Sequence, residues 1–303
     1  MTSKRTISLV SATIFAFWFI KFYLKFPGAD IGIVGVILTI ASILFGFLAG
    51  FFISQLWTRY TEIRKVHSMR SSDGLSMVNC AEHFYENKVF EKEFKRLVET
   101  SSVVDETVEW NEGHLEIPYY QNIENSFRHI SIKDKKDEVY FNHLLINYHE
   151  FVESTVRLDT LGKEKLFPSE WLIMFALSSV IGLSILFLDI SHFFYQIIVL
   201  TFPAIITLAL SIIYDLDTLL WSKELVSLEP NQRLFDAVGA KRFYQTRKKG
   251  FVSSYVEDYR TEEDLTGDLK EAHFKIIESR KKAEEDQKKS ILRSLLRRNR
   301  RAM

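Results

Sequence analysis

The side chains of this sequence that could carry chemistry are few and scattered. Asp215 and Asp217 directly follow a long apolar run, where a carboxylate must be solvated, paired or bound to a cation. We interpret them as marking the end of that run, with a cation site as the sharper alternative. Six histidines are spread through the polar middle of the chain: His67, His83, His114, His129, His143 and His149. His143 and His149 are six residues apart and do not share a helical face at ligand spacing. The pattern favours surface or hydrogen-bonded histidines.

Motifs of catalysis and cofactor binding are absent from the sequence. It contains no Gly-rich phosphate loop, no Gly-x-Ser-x-Gly, no Cys-x-x-Cys and no His-Glu-x-x-His. Cys80 is the single cysteine, so no disulfide can form within the chain and a reducing compartment is compatible. We therefore expect no catalytic residue, no bound metal, no cofactor and no nucleic-acid partner, and a protein that is not an enzyme.

Charged residues make up 26% of the chain and cancel in net charge, but they are strongly segregated. Asp, Glu, Lys and Arg are absent from residues 7–20, 31–57, 171–188 and 190–214. A bilayer core of about 30 Å requires about 20 apolar residues of helix, so the second and fourth stretches suffice and the third is just long enough. The first reaches this length only if Lys21 and Lys25 extend their ammonium groups to the interface. Together the stretches predict four transmembrane helices.

The N-terminal stretch has a second interpretation. Lys4 and Arg5 precede an apolar core, as in a cleaved secretory signal peptide. Bulky aromatic residues and lysines follow, however, where a signal peptide has small residues around its cleavage site. The pattern therefore favours a membrane span.

The positions of the cations predict the orientation in the membrane. Basic residues flank the ends of the apolar stretches that adjoin the long polar segments: Lys4, Arg5, Arg59, Arg64, Lys65, Arg70, Lys163 and Lys165. The two short connections, around residues 28–30 and 189–192, carry few. Because Lys and Arg accumulate on the cytoplasmic side, we expect an integral protein of the cell membrane with both termini in the cytoplasm.

Periodicity predicts an all-α protein, a four-transmembrane-helix membrane protein with a helical cytoplasmic region. Its segments are transmembrane helices 1 and 2 (1–57), a cytoplasmic helical region (58–168), transmembrane helices 3 and 4 (169–214), a second cytoplasmic helical region (215–260) and a charged C-terminal helix or tail (261–303). The second span is expected to continue past the interface, with Gly74 as the first residue that would stop it. The basic tail is interpreted as a solvated helix, or alternatively as a contact for anionic lipid.

One membrane span has a distinctive pair of faces. Ile43, Phe47 and Phe51 are spaced at i, i+4 and i+8, so they form one bulky line, here called the apolar stripe. Gly46 and Gly50 form a small-xxx-small pair on an adjacent face, which predicts close packing of another helix.

Residues 43–60 resemble the second transmembrane helix of the bestrophin ion channels. The family pattern is approximately Ile-x-x-x-Phe-Val-Leu-Gly-Phe-Tyr-Val-Thr, then a short apolar gap and Thr-Arg-Trp. This chain has Ile43, then Phe47-Leu-Ala-Gly-Phe51-Phe-Ile-Ser54, then Thr58-Arg59-Tyr60. The end of the last span, Tyr214-Asp-Leu-Asp217, is similar to that of the bacterial bestrophin-like membrane proteins.

The resemblance implies a homopentameric ion channel for chloride-type anions, with Ile43, Phe47 and Phe51 as the hydrophobic neck of its pore. Its partners would then be other copies of the chain, membrane lipid and permeant ions. Arg59 would lie at the inner mouth of the pore, with ordinary anchoring at the cytoplasmic interface as the alternative. The run of consecutive Asp residues that binds calcium in animal bestrophins is not reproduced near Asp215 and Asp217. No metal site is therefore carried over.

A second hypothesis belongs to a different class of protein. The chain could be a non-conducting membrane anchor or sensor whose cytoplasmic helices and basic tail bind a partner or anionic lipid. A scaffold of this kind should tolerate small polar residues at Phe47 and Phe51, whereas a channel should change its conductance.

Overall fold

The computed structural model describes residues 2–23, 31–107, 117–187, 193–219, 229–243, 259–265, 267 and 270. The helices in these ranges are α1 (Thr2–Tyr23), α2 (Ile31–Glu82), α3 (Lys88–Thr107), α4 (Ile117–Ser126), α5 (Lys135–Lys163), α6 (Pro168–Phe187), α7 (Phe193–Asp217) and α8 (Glu229–Ala237). Short 3-10 turns cover Phe127–His129 and Glu262–Asp264. The predicted all-α class is confirmed for this part of the chain.

A minor departure from the all-α pattern lies near the C-terminal side of the described region. Strands β1 (Arg242–Phe243) and β2 (Tyr259–Arg260) pair in parallel, with Arg242 opposite Tyr259 and Phe243 opposite Arg260. The side chain of Gln232 binds β1 through both of its polar atoms: Nε2 donates to the Phe243 carbonyl at 2.9 Å and Oε1 accepts from the Phe243 N–H at 3.1 Å. The described part of segment 215–260 therefore contains a short strand pair as well as helix α8.

Two helical stretches are long and apolar enough to cross a membrane, Gly32–Glu82 and Lys135–Phe187. The apolar part of the first helix, Thr6–Ile20, is shorter. These lengths come from the described residues, which leave out 188–192 ahead of α7. The count of four spans stays a prediction.

One compact unit comprises Met1–Arg64 and Leu161–Val226. Its core contains buried side chains of α2, α6 and α7: Ala41, Phe45, Ala49, Phe52, Leu56, Met174, Ile181, Ile185, Ile206 and Ile213. Helix α1 packs against α7, where the hydroxyl of Thr207 donates to that of Thr13 at 3.3 Å and the hydroxyls of Thr6 and Ser211 are also 3.3 Å apart. Hydroxyl pairs of this kind hold helices together in an apolar setting.

The other compact unit comprises Lys65–Thr160 and Ser227–Met303. Its main core is rich in aromatic side chains from α3, α5 and the turn after α4, among them Phe90, Phe94, Phe127, Tyr148 and Phe151. The rings meet in tilted and edge-to-face pairs, an arrangement that aromatic side chains favour.

The prediction that Gly74 would stop the second span's helix is wrong, because α2 continues without a break to Glu82. A Cβ atom at position 74 would lie 2.9 Å from Leu234 Cδ2 and 3.3 Å from Phe151 Cε2. Glycine stands here because neighbouring side chains of α5 and α8 occupy the space, and its low helix propensity is overridden by the surrounding helix.

Candidate functional site

Helix α2 separates its side chains into a buried face and an exposed face. Ala41, Phe45, Ala49, Phe52 and Leu56 are buried in the core shared with α6 and α7. Ile43, Phe47 and Phe51, the apolar stripe, are 66%, 76% and 57% exposed. A helix turns by about 100° per residue, so this segregation follows directly from the spacing of the residues. The stripe is not part of the core that the described helices of this chain form.

Gly46 and Gly50 lie beside the stripe with open space around them. A Cβ atom built at either glycine meets nothing within 4 Å in the part of the chain that the structure describes. The described residues therefore leave this small-residue pair uncovered, and the packing of another helix on it stays a prediction. A second molecule could still approach the α2 backbone here, because nothing bulky projects from these two positions.

Arg59 lies near the end of the part of α2 that belongs to the same compact unit as the stripe, which extends to Arg64. Its side chain is only 8% exposed. Its Nε donates to the carbonyl of Leu161 at 2.7 Å, its Nη2 to that of Gly162 at 3.0 Å and its Nη1 to that of Asp217 at 3.2 Å. The first two carbonyls belong to the last turn of α5 and the third ends α7, so none has a partner within its own helix. A cation also complements the negative ends of these helix dipoles.

Asp217, at the end of α7, accepts hydrogen bonds from the start of α6 through both carboxylate oxygens. Oδ1 accepts from the backbone N–H of Leu166 at 2.8 Å, and Oδ2 accepts from the indole N–H of Trp171 at 3.3 Å. Leu166 precedes α6, whose N-terminal end favours a negative charge. Asp217 is 6% exposed, as is Asp215. Asp217 therefore acts as a structural acceptor, which favours the boundary interpretation over a cation site.

These contacts form one cluster, here called the Arg59 junction. It consists of Arg59, Asp217, the carbonyls of Leu161 and Gly162, the Leu166 N–H and the Trp171 indole. It brings together the ends of α5 and α7, the start of α6 and one point on α2. Arg59 is thus held by groups of its own chain, and its place at an inner pore mouth stays a prediction.

Sequence reasoning placed Arg59 and Asp217 at the inner ends of two apolar runs but did not pair them. The signal that could have found the pair is their opposite charge at the same predicted depth. The remaining members of the junction could not be found, because they are mostly backbone groups whose residue types carry no signature.

The histidines have ordinary partners where the structure describes them. His83 Nε2 lies 2.8 Å from Asp137 Oδ1, and its ring stacks on that of Tyr140 at 4.1 Å. His129 Nε2 is 3.2 Å from Glu93 Oε2, and His149 Nδ1 donates to the Leu145 carbonyl at 2.7 Å. His114 lies outside the described residues. Within those residues, no three His, Cys, Asp or Glu side chains converge as a metal site would require.

Asp137 is the acceptor for two donors near the start of α5. Its Oδ2 accepts the Lys133 backbone N–H at 2.8 Å, and this bond and the His83 ring lower the pKa of its carboxyl group. Lys133 Nζ is also 2.9 Å from Glu86 Oε2, which lowers the pKa of Glu86. These bonds fasten the turn after α2 to the N-terminal end of α5.

The described residues are mostly helical and include two stretches long and apolar enough to cross a membrane, as is typical of a helical membrane protein. The Bestrophin-like domain matches residues 9–219, more than half of the chain, and the protein belongs to this family. The match covers the apolar stripe, Arg59 and Asp217. No curated protein and no solved structure matches the chain. The family is of the channel type and not enzymatic.

Proposed function

We propose that this protein is an oligomeric ion channel that passes chloride-type anions through a neck formed by Ile43, Phe47 and Phe51. The observation that carries the proposal is the exposed apolar stripe on α2, a helix whose other face is buried in the subunit. Three large apolar side chains in line, left uncovered by their own subunit, must face lipid, another copy of the chain or a shared axis.

A shared axis is the arrangement that we infer. One helix cannot enclose a pathway, so conduction requires a closed ring of identical subunits, for which rotational symmetry is usual. Five copies is the number that the resemblance implies. Each residue of the stripe would then contribute one apolar ring, and three stacked rings make a constriction that can gate by dewetting.

The glycine pair supports close association of neighbouring α2 helices. Gly46 and Gly50 have open space around them, so a neighbouring subunit's helix could approach without a steric clash. Five helices around a narrow neck must come close to one another, and small residues next to the stripe allow this.

The proposed preference for anions depends on which part of the aromatic rings faces the axis. The edge of a phenyl ring carries partial positive charge and its face partial negative charge. If Phe47 and Phe51 present their edges to the axis, the rings favour anions such as chloride. We propose that the channel lies in the cell membrane with both termini in the cytoplasm, and that residues 58–168 and 215–259 build a cytoplasmic vestibule.

The test is chloride efflux from liposomes that contain the purified protein. Wild type is compared with Ile43→Ala/Phe47→Ala/Phe51→Ala and with a matched control, Leu172→Ala/Phe175→Ala/Leu183→Ala. The control removes three apolar side chains from α6 that are also more than half exposed, at 68%, 54% and 55%.

A neck on α2 predicts that efflux changes in the first variant, since the dewetting barrier depends on the size of the apolar rings. It predicts wild-type efflux in the α6 control. Equal behaviour of the two variants would contradict the neck. No efflux from folded wild-type oligomers would favour the non-conducting anchor or sensor.

A further inference from the structure

We propose that Arg59 is a positioning residue, which fixes the rotation of α2 about its axis and thereby the direction in which the apolar stripe faces. The inference rests on the proposed function for its consequence in conduction, but its geometric part concerns a single subunit. It gives the Arg59 junction a role in determining the direction in which the neck residues face.

The argument begins with the face of α2 on which Arg59 lies. Arg59 follows Phe52 by seven residues, nearly two full turns, so both project from the same buried face. It follows Phe51 by eight residues, about 12 Å along the axis and about 80° around it. Rotation of α2 that moves Arg59 therefore moves the stripe by the same angle.

The apolar core cannot define this angle as sharply as the junction does. Contacts of Ala41, Phe45 and Ala49 with neighbouring helices are non-directional, and apolar packing tolerates small shifts. The bonds of Arg59 are directional: three nitrogens of one planar group each have a separate carbonyl acceptor at 2.7 to 3.2 Å. A planar fork that satisfies three fixed acceptors has little freedom to rotate.

The acceptors are themselves held in place. Two are in the last turn of α5 and one ends α7, while the Asp217 carboxylate holds the Leu166 N–H and the Trp171 indole at the start of α6. Arg59 is therefore bonded directly to the ends of α5 and α7, and through Asp217 it is linked to the start of α6. Movement of α6 or α7 at this end would turn α2, and with it the stripe.

Substituting Arg59 separates this role from that of a pore-mouth charge. Lys keeps the charge but offers one compact ammonium group, which cannot reach the three carbonyls in the same geometry. A pore-mouth charge therefore predicts that Arg59→Lys conducts like wild type and that Arg59→Met shifts the reversal potential. A positioning residue predicts that both variants alter opening while the reversal potential stays unchanged.

The first experiment measures the position of α2 directly, without current. In a Cys80→Ala background, spin labels at Leu44→Cys on α2 and Leu172→Cys on α6 report the distance between these helices within one subunit. Both sites are exposed, and labelled subunits are diluted with unlabelled ones in reconstituted oligomers. Arg64→Met is the matched control, since Arg64 is exposed on the same helix and its guanidinium lies 6.0 Å from the Tyr60 ring centre.

We expect the distance distribution to shift and to broaden in both Arg59→Met and Arg59→Lys, because neither side chain can span the three acceptors. Arg64→Met should match the parent. If Arg59→Met does not assemble, Trp171→Phe, which removes one donor from Asp217 and keeps an aromatic ring, should give a smaller shift. Parent-like distributions in the Arg59 or Trp171 variants that assemble would overturn the proposal.

The second experiment is single-channel recording of the same variants under a salt gradient. We expect open probability to fall roughly tenfold in Arg59→Lys, within the range of coupling between distant sites, with an unchanged reversal potential. Wild-type behaviour in Arg59→Lys together with a shifted reversal potential in Arg59→Met would overturn positioning in favour of a pore-mouth charge. If wild type carries no current but the label distances shift, the channel proposal fails and the positioning of α2 stands.

Discussion

Phe45 and Phe47 stand two residues apart on α2 and have opposite surroundings. Phe45 is 6% exposed within the core of its unit, whereas Phe47 is 76% exposed. Two residues correspond to about 200° around a helix, so Phe45 faces the core of its unit while Phe47 projects from the exposed face of α2.

This contrast gives a paired prediction for stability and conduction. Phe45→Ala should lower the free energy of unfolding by about 3 kcal/mol, because a large buried ring leaves a cavity. Phe47→Ala should leave subunit stability nearly unchanged and should alter the current. Thermal unfolding of the purified protein and bilayer recording check the two parts. Equal loss of stability in both variants would mean that the stripe is covered within the assembled protein in the way a core residue is.

The glycines of α2 should differ in what they support. Gly46→Leu/Gly50→Leu places bulk where the subunit has open space, so it should weaken assembly while each subunit stays folded. Size-exclusion chromatography with light scattering in detergent measures the oligomer. Assembly like that of wild type would show that no helix packs on this pair.

Gly74→Ala is the contrasting substitution. Its Cβ would lie 2.9 Å from a Leu234 methyl carbon, so it should lower the free energy of unfolding by about 1–3 kcal/mol through overpacking. The oligomer should remain intact. A melting temperature equal to that of wild type would mean that Leu234 and Phe151 rearrange without cost.

The bond between His83 and Asp137 predicts a pH-dependent contribution to stability. The Lys133 N–H and the His83 ring hold the pKa of the Asp137 carboxyl below its unfolded value of about 3.9. The stabilising effect of the ionised Asp137 carboxyl is thus present above a pH of about 3.9 and is lost as the pH falls through the folded pKa. Asp137→Asn should therefore lower the melting temperature at pH 7, and the difference should vanish in strong acid.

Glu138→Gln is the matched control for that experiment. Glu138 is the neighbouring carboxylate in the first turn of α5 and is exposed, so its replacement also removes one negative charge from the same helix end. It should change the melting temperature less than Asp137→Asn does at pH 7. An equal change would attribute the effect to the helix dipole and not to the bonds with His83 and Lys133.

Several features of this fold follow from the sequence because they depend on patterns of residue type. The absence of charge over 31–57 predicts an apolar helix, and the spacing of Ile43, Phe47 and Phe51 predicts that they share a face. The match of the Bestrophin-like domain confirms the family that this segment resembles. Helical periodicity is strong in the amphipathic helices α3 and α8, whereas α2 and α6 are predicted by the length of their apolar runs.

Other features depend on three-dimensional contacts that residue types do not encode. Glycine is typical of helix ends, but Gly74 lies in the middle of α2, because Leu234, 160 residues later, occupies the space beside it. An Arg just after an apolar run is typical of a membrane interface, yet Arg59 is buried because helix-terminal carbonyls approach it from α5 and α7. The strands 242–243 and 259–260 are two residues long, which is too short for the alternating pattern of a β-strand to be recognised in the sequence.

The central claim is that the apolar stripe is the neck of an ion pathway, and planar-bilayer recording of purified oligomers under a salt gradient tests it most directly. Wild type should carry a current whose reversal potential lies on the anion side, and Ile43→Ala/Phe47→Ala/Phe51→Ala should change its conductance or gating. Silence from folded wild-type oligomers across pH and calcium, or identical currents from wild type and the triple variant, would contradict the claim.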